Sequence, residues 1–168
     1  MSSSLVTCVV VADGARARFF TLQPTATAGA DGGMALQERS DLCQSDPRRT
    51  TLAAANVADH SRAAAGGTGR DDDASAANRR REWDRRFAGE VIDKCAEFCR
   101  DWQVKRVVIV ADPRTLGLLR HKAHRLAGLD VRELGRDLSH ADAPTLRAHL
   151  VTAGLLTESP PPVPRFAH

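Results

Sequence analysis

The chain has 168 residues, a length that suits one domain, and its apolar fraction of 42% can supply a hydrophobic core. Aromatic residues make up only 4%, so stacking platforms for single-stranded nucleic acid are scarce, and a net charge of +3 does not by itself indicate nucleic-acid binding. We identify no secretory signal and no apolar stretch near the roughly 20 residues of a membrane helix. We therefore expect a cytoplasmic protein without a membrane partner.

The first predicted element is a β-hairpin over Leu5–Gln23. Leu5–Ala12 is a valine-rich apolar run, which is typical of a strand buried on both faces. Asp13-Gly14 predicts a two-residue turn, because glycine accepts a positive φ without steric cost. Alternation with arginines over Ala15–Phe20 predicts a return strand with one polar face.

The next part of the chain carries weaker patterns. Met34–Leu42 follows a glycine-rich turn region and is predicted to be a short edge strand. The segment 43–81 has no sustained apolar period and is predicted to be a mobile insert loop, with one helical turn near Thr51–Val57. Its acidic run Asp71–Asp73 has the chemistry to bind a cation, although a solvated loop explains such a run more often.

A long amphipathic helix is predicted after this loop, with order returning at Asn78. Apolar residues follow i, i+4, i+8 spacing from Trp83 to Trp102, and the opposite face is charged. We interpret the two tryptophans as core anchors. The predicted apolar stripe consists of Trp83, Phe87, Val91, Cys95, Phe98, Cys99 and Trp102, widened by Ile92.

Strands and helices alternate in the second half of the chain. Asp112-Pro113 and Asp142-Ala143-Pro144 each place an N-cap aspartate before an early proline, which predicts two helix starts. Gly128 is predicted to close the first of these helices. The predicted elements are a buried strand at Lys105–Ala111, a helix from Asp112 to about Leu126, a short strand at Val131–Leu134 and a helix from Asp142 to about Gly154.

The predicted order is β-β-β-α-β-α-β-α, in a single α/β domain over residues 1–157 that is followed by a proline-rich, disordered tail over 158–168. Helices between the later strands imply parallel pairing through right-handed crossovers. This is the element order of ribonuclease H-like folds, in which the first and fourth strands lie side by side. We therefore predict a mixed five-stranded sheet flanked by helices, with a long mobile loop after the third strand.

The four cysteines contain no CxxC pair, so a zinc site is not expected. Cys95 and Cys99 are spaced i, i+4 on the predicted long helix, and Cys8 lies in the first strand. Buried, reduced thiols of a cytosolic protein are the simplest interpretation of these three residues and of Cys43.

Two segments carry a family resemblance: VADGARARFF at Val11–Phe20, and VIVADPRTLGLLR from Val108 followed by VRELGRDLSHADAPTLRAHL from Val131. Together with the arginine-rich start of the long helix, they resemble the bacterial family called "protein required for attachment to host cells". That family is similar to the middle domain of eukaryotic and archaeal peptide-chain release factors and their ribosome-rescue relatives. The resemblance implies a ribonuclease H-like sandwich in a cytosolic protein.

The release factors carry a Gly-Gly-Gln in a long loop before their first long helix. The corresponding loop here holds Gly66-Gly67-Thr68 and lacks the glutamine that positions the hydrolytic water in those factors. Peptide release is therefore not expected from this chain.

The first functional hypothesis is a non-catalytic binding or adaptor domain without a cofactor, with the ribosome, RNA or a protein as its partner. Clustered arginines could neutralise phosphates, and binding would then weaken steeply with salt. Pairing with Glu82 and Asp84 is the alternative explanation of the cluster. The arginines are Arg79, Arg80, Arg81, Arg85 and Arg86 at the start of the long helix, and Arg16 and Arg18 on the hairpin.

The second hypothesis is a nuclease that uses Mg²⁺ or Mn²⁺ held by carboxylates from neighbouring strands. Asp13 ends the first strand and Asp112 ends the fourth, and Glu90 with Asp137 or Asp142 could complete the set. Each aspartate before a glycine or proline also has a structural explanation as a turn or cap residue.

A hydrolase with a nucleophilic serine is a third idea, but the chain has no GxSxG motif. His121 and His124 could share a metal, although they have no third ligand nearby in sequence. We place the functional surface at the sheet edge formed by Asp13, Arg16, Asp112 and Arg114, since ligands of α/β sheets bind at the carboxyl ends of the strands. The oligomeric state does not follow from the sequence.

Overall fold

The computed structural model describes residues 6–25, 33–44 and 69–156, and these form a mixed five-stranded sheet with helices, as predicted. The elements in chain order are β1 (Thr7–Ala12), β2 (Arg16–Pro24), β3 (Met34–Cys43), α1 (Gly69–Asp101), β4 (Arg106–Ala111), α2 (Pro113–Arg120), a 3-10 turn (Ala123–Leu126), β5 (Asp130–Gly135) and α3 (Ala143–Thr152).

The strand order in the sheet is β3-β2-β1-β4-β5. β1 pairs antiparallel with β2, and β2 pairs antiparallel with β3. β1 pairs parallel with β4, and β4 pairs parallel with β5. The predicted neighbourhood of the first and fourth strands is therefore confirmed. β3 is the predicted edge strand, but it is ten residues long rather than short because it pairs along the full length of β2.

Both faces of the sheet are covered, because alternate residues of β1 enter two separate cores. Cys8 and Val10 pack with the buried face of α1, with α2 and with the 3-10 turn. Val9 and Val11 pack on the other face against Leu146 and other residues of the α3 region. All six residues of β1 are buried, which confirms the predicted two-faced burial.

The hairpin between β1 and β2 is confirmed, but its turn differs from the prediction. Three residues separate the strands, and Gly14 does not have a positive φ. The turn is instead organised by Asp13, whose Oδ1 accepts hydrogen bonds from the backbone N–H groups of Ala15 and Arg16. An aspartate that bonds its own backbone in this way replaces the glycine-dependent turn.

α1 begins at Gly69, so the predicted mobile loop over 43–81 is wrong for residues 69–81, and Cys43 belongs to β3. The early part of α1 has no apolar period because its side chains over 73–82 are exposed and contact no core. Asp71–Asp73 fall in the first turns, where acidic residues favour a helix start. The predicted helical turn at Thr51–Val57, Gly66-Gly67 and the tail over 158–168 lie outside the described residues.

The helix after β4 is shorter than predicted. It starts at the expected Asp112 cap but ends at Arg120, and a 3-10 turn carries the chain to Leu126. The amide of Lys122 bonds the carbonyl of Leu119, a tight hydrogen bond that stops the α-helix. Gly128, with φ of 87°, follows the 3-10 turn rather than the helix.

Trp102 is not the predicted core anchor, because its side chain is 40% exposed. It stacks on Phe98 with ring centroids 5.8 Å apart, and the guanidinium of Arg39 lies 4.7 Å from its ring centroid. Trp83 is half-buried and lies beneath Arg86. The core positions of α1 are the residues between the two tryptophans, where the predicted apolar stripe is confirmed.

Candidate functional site

The carboxyl ends of β1 and β4 open into a pocket bordered by α1 and α2. Ala12 pairs with Ala111 in the parallel register, so Asp13 and Asp112, the next residues of the two strands, lie at the same edge. Both aspartates line the pocket, whose volume is about 220 Å³. The structure thus brings together the two carboxylates that the sequence assigned to neighbouring strand ends.

Each of these carboxylates is held by the backbone of its own loop. Asp13 Oδ1 accepts hydrogen bonds from the amides of Ala15 and Arg16 at 2.7 and 2.8 Å. Asp112 Oδ1 accepts the amides of Arg114 and Thr115 at 3.0 and 3.1 Å. Partial burial raises the pKa of Asp112, but the hydrogen bonds from Thr115 and Arg114 outweigh it and hold this pKa below its ordinary value.

The helical walls of the pocket are charged. α1 contributes Arg80 and Asp84, and α2 contributes Arg114, whose Nη2 lies 2.9 Å from Asp84 Oδ2. The Asp84 side chain is only 12% exposed, so the ion pair closes one side of the pocket. The lining contains three carboxylates and two guanidiniums, which leaves a net negative wall over an apolar floor that includes Phe87 and Val91.

Arg16 and Arg18 do not line this pocket. The backbone of Arg16 bonds Asp13 at the predicted edge, but its side chain follows the antiparallel strands, with Nη2 3.5 Å from Asp41 Oδ2 on β3. Arg18 donates to both oxygens of Glu38, at 3.0 and 2.8 Å, and to the carbonyl of Ala141 at 2.8 Å. The hydrogen bond from Arg18 lowers the pKa of Glu38. Arg18 therefore ties the β2–β3 edge to the segment before α3.

The first half of α1 carries the clustered arginines on residues 73–86, which we call the arginine arm. This segment is exposed over 73–82 and at Arg85 and Arg86, whereas Trp83 and Asp84 are partly buried. Arg79, Arg80 and Arg81 are exposed, and no carboxylate of the described side chains lies within 4.0 Å of their guanidiniums. Arg85 Nη1 lies 3.8 Å from Glu82 Oε2, and Arg86 Nε lies 3.8 Å from Glu90 Oε1. Both of these pairs are exposed, so they neutralise the arm only weakly.

The carboxylates of the nuclease hypothesis are only partly assembled. Glu90 is exposed and pairs with Arg86, and Asp142 caps α3 by accepting the amide of Thr145 at 2.8 Å. Neither lines the pocket that holds Asp13 and Asp112. Among the described side chains, no three carboxylates lie close enough to share a metal ion.

Three cysteines do lie close enough to share a metal ion, and their spacing in the sequence did not reveal this. Cys8 of β1 and Cys95 and Cys99 of α1 are buried, with their sulfurs within 4.8 Å of one another. Cys8 is far from the other two in sequence, so only the packing of α1 on β1 brings the three together. Cys43 is exposed on the edge strand, which corrects the prediction that it is buried.

Asp84 is the pocket residue that the sequence did not single out for this site. It was considered only as a partner of neighbouring arginines, whereas it pairs with Arg114 of another helix. His121 and His124 are exposed and belong to no three-residue metal-compatible group in the described part of the chain. Across residues 6–25, 33–44 and 69–156, no helix combines the length and the apolar character needed to cross a membrane.

A search among curated proteins found no match to the chain. The crystal structure of the type II variant of the Aquifex aeolicus Ppx/GppA phosphatase is 13% identical over 77% of this chain and 35% of that chain, with a TM-score of 0.39. A second structure, of the Aquifex aeolicus PPX-GPPA enzyme, is 15% identical over 77% and 36%, with a TM-score of 0.36. The chain spans about a third of these structures, and a likeness at this level carries no argument about function.

The family model described as "Protein required for attachment to host cells" matches residues 8–150. The match runs from β1 into α3 and includes the pocket, the arginine arm and all three buried cysteines. Because it covers most of the chain, the protein belongs to the family of proteins required for attachment to host cells.

Proposed function

We propose that this protein is a cytosolic, non-catalytic adaptor domain that binds RNA through the arginine arm. The observation that carries the proposal is the exposure of Arg79, Arg80 and Arg81 without carboxylate partners among the described side chains. Solvated guanidiniums of this kind can exchange counterions for phosphates, and this exchange supplies most of the affinity of non-specific nucleic-acid binding.

The spacing of the arginines suits a charged backbone. Arg81 and Arg85 are four residues apart, and Arg79 and Arg86 are seven apart, so two rows of cations follow the axis of α1. From Arg79 to Arg86 these rows extend about 10 Å at the usual helical rise of about 1.5 Å per residue. Such a surface can contact several successive phosphates without reading bases.

The pocket is a poorer candidate for the RNA contact. Its lining carries one more carboxylate than guanidinium, which opposes the approach of a phosphate. Its volume of about 220 Å³ is also below the roughly 300–1,000 Å³ of typical small-molecule sites. We therefore assign the contact to the arm rather than to the Asp13–Asp112 edge.

Ribosomal RNA is the RNA class that we favour. The basis is the resemblance of the family to the middle domain of release and rescue factors, which act on the ribosome. The strand order, with β1 beside β4, supports a ribonuclease H-like description of the sheet within the same proposal. A protein partner with an acidic surface is the competing occupant of the arm.

The test is RNA binding by fluorescence anisotropy over a range of salt concentrations, with the wild type and Arg79→Ala/Arg80→Ala/Arg81→Ala. We expect the slope of log affinity against log salt to fall by roughly 2 to 3 in the variant, since each lost phosphate contact contributes about 0.7 to 0.9. The matched control removes three exposed cations elsewhere, Arg100→Ala/Lys105→Ala/Arg136→Ala, and should keep the wild-type slope.

Co-sedimentation with ribosomes at low and high salt then distinguishes ribosomal RNA from an acidic protein as the partner. Salt-sensitive pelleting that the arm variant loses and the control variant keeps supports the ribosomal reading. Equal RNA affinity of both variants, or a flat salt dependence, would refute the arm as an RNA surface.

A metal-dependent nuclease remains the alternative, and the shared pocket of Asp13 and Asp112 is the observation in its favour. Incubation of labelled RNA with purified protein and Mg²⁺ or Mn²⁺ decides the question. Cleavage by the wild type that Asp13→Asn abolishes would support the nuclease. The adaptor proposal expects no cleavage above a metal-only control.

A further inference from the structure

Three thiols meet in the core at the end of the sheet opposite the pocket. Cys8 lies near the start of β1, and Cys95 and Cys99 lie one turn apart on α1. Their sulfurs all lie within 4.8 Å of one another, and the Cys95 and Cys99 sulfurs are 4.0 Å apart. Cys99 is 4% exposed and the other two are 0% exposed. All three are free thiols.

The ligand set selects for a soft ion, because sulfur is the only donor type. Tetrahedral zinc takes four protein ligands in structural sites, and no fourth histidine, cysteine or carboxylate of the described residues joins this group. Three thiolates would leave one negative charge with a divalent ion and two with Cu(I). The core residues around the three thiols, which include Phe19, Phe98 and Val107, are apolar, so a net charge on the bound complex would be costly there.

A trivalent ion removes this difficulty, because three thiolates neutralise it completely. We propose that Cys8, Cys95 and Cys99 form a three-sulfur site for a trivalent, three-coordinate ion of the arsenic(III) type, which enters as its uncharged hydroxide. In the binding step, each of the three As–O bonds of As(OH)₃ is replaced by an As–S bond. Each thiol proton leaves with a hydroxide as water, so three waters are released and arsenic stays in the +3 state.

A surface groove supplies the entry path. Cys99 lines this groove together with Val6, Ala96 and Val104. Because Cys99 lines the groove and Cys8 and Cys95 do not, the Cys99 thiol reacts first, and the other two thiols follow as hydroxides depart.

The backbone holds the ligands in place before binding. Cys8 pairs in register with Val107 in the centre of the sheet, and the carbonyl of Cys99 accepts the amide of Val104 at 2.8 Å. Binding then requires the three sulfurs, which already lie within 4.8 Å of one another, to draw closer around one ion. Preorganised donors lower the entropic cost of binding.

The experiment adds sodium arsenite to the full chain, reduced with a phosphine in a buffer free of other thiols. We expect non-denaturing mass spectrometry to show one arsenic atom per chain, with the loss of three hydrogens. At a denaturant concentration where alkylation modifies all four cysteines of the arsenic-free chain, it should modify only one after arsenite is added, and X-ray absorption at the arsenic edge should show three sulfur neighbours. The melting temperature should rise with arsenite concentration.

Two single variants complete the test. Cys43→Ala, which removes the exposed cysteine outside the cluster, should bind arsenic as the wild type does. Cys99→Ala, which removes the least buried ligand, should lose the three-sulfur signal and the thermal shift.

The proposal is overturned if the wild type retains an oxygen neighbour on arsenic, if Cys43 is required, or if Cys99→Ala binds equally well. Tighter protection of the same thiols by Zn²⁺ than by arsenite would also overturn it. If Cys99→Ala does not fold, the count of protected thiols and the arsenic-edge spectrum of the wild type decide the question alone.

Discussion

The two halves of α1 belong to one continuous helix and are built on different principles. Over residues 73–82 every side chain is exposed, whereas residues such as Phe87, Val91, Ile92 and Cys95 are buried against the sheet. Tertiary packing of an apolar face stabilises most protein helices, and segments without such a face depend on local propensity. The comparison teaches that the unpacked half can change without loss of the fold, so it is free to carry a binding surface.

Proline substitutions should give the largest difference in stability between the two halves of α1. Ala88→Pro introduces a ring into the buried half and should cost about 3 kcal/mol or more of unfolding free energy, enough to prevent stable folding. Ala77→Pro makes the same change in the exposed half and should reduce helical circular dichroism while leaving the urea midpoint almost unchanged. A shift of the midpoint by Ala77→Pro as large as that of Ala88→Pro would show that the arm packs in solution.

Substitution of an arginine at the sheet edge should lower the unfolding free energy more than substitution of an arginine on the arm. Arg18→Ala removes the donor to the carbonyls of Ser139 and Ala141 and to Glu38, and should lower the unfolding free energy by about 1–3 kcal/mol. Arg85→Ala on the arm breaks only the exposed ion pair with Glu82. This variant should change the unfolding free energy by less than about 0.5 kcal/mol. Urea denaturation of both variants at neutral pH measures the contrast, and equal effects would contradict it.

The N-cap of α2, Asp112, should make a smaller and pH-dependent contribution to the unfolding free energy. Asp112→Ala should cost about 1 kcal/mol at pH 7, because it removes the acceptor for two backbone amides. Since the pKa of Asp112 is lowered in the folded state, this stabilisation is present above about pH 4 and is lost as the pH falls through the folded pKa. Denaturation at pH 7 and pH 3 should therefore show the variant and wild type converging in acid. A constant difference between them would contradict the cap assignment.

The smallest expected effect on stability belongs to the arm arginines. Arg79→Ala/Arg80→Ala/Arg81→Ala should change the unfolding free energy by less than about 0.5 kcal/mol, since these side chains contact no core. Native-state hydrogen exchange should show weak protection over 73–82 in both proteins and global protection near Val91. Slightly stronger protection of the arm is expected in the variant, because alanine favours the helix and removes like-charge repulsion. Strong wild-type protection over 73–82 would contradict an unpacked arm.

Local chemistry in the sequence predicted much of the fold. The valine runs of β1 and β4, the apolar stripe of α1 and the aspartate-proline helix starts all identify elements that the structure contains. These signals succeed because burial on two faces, helical periodicity and N-capping each leave a pattern within a few residues. The same logic placed Asp13 and Asp112 at one edge.

The errors arise where the deciding partner is distant in sequence or where no burial pattern exists. The start of α1 was missed because an exposed helix has no apolar period to detect. The direction of the Arg16 side chain was not predicted, because its partner, Asp41, lies on a strand whose register the sequence does not show. Cys95 and Cys99 resembled ordinary core residues until β1 supplied Cys8.

The sequence by itself determined the α/β class, the order of elements and the residues that end each parallel strand, because each depends on local periodicity and capping. Only the tertiary structure decided which arm arginines lack a carboxylate partner among the described residues, which arginine connects the β2–β3 edge to the segment before α3, and which three thiols converge. Ion pairs and sulfur clusters join residues whose distance is set by the packing of α1 on the sheet, and no pattern along the chain encodes that distance.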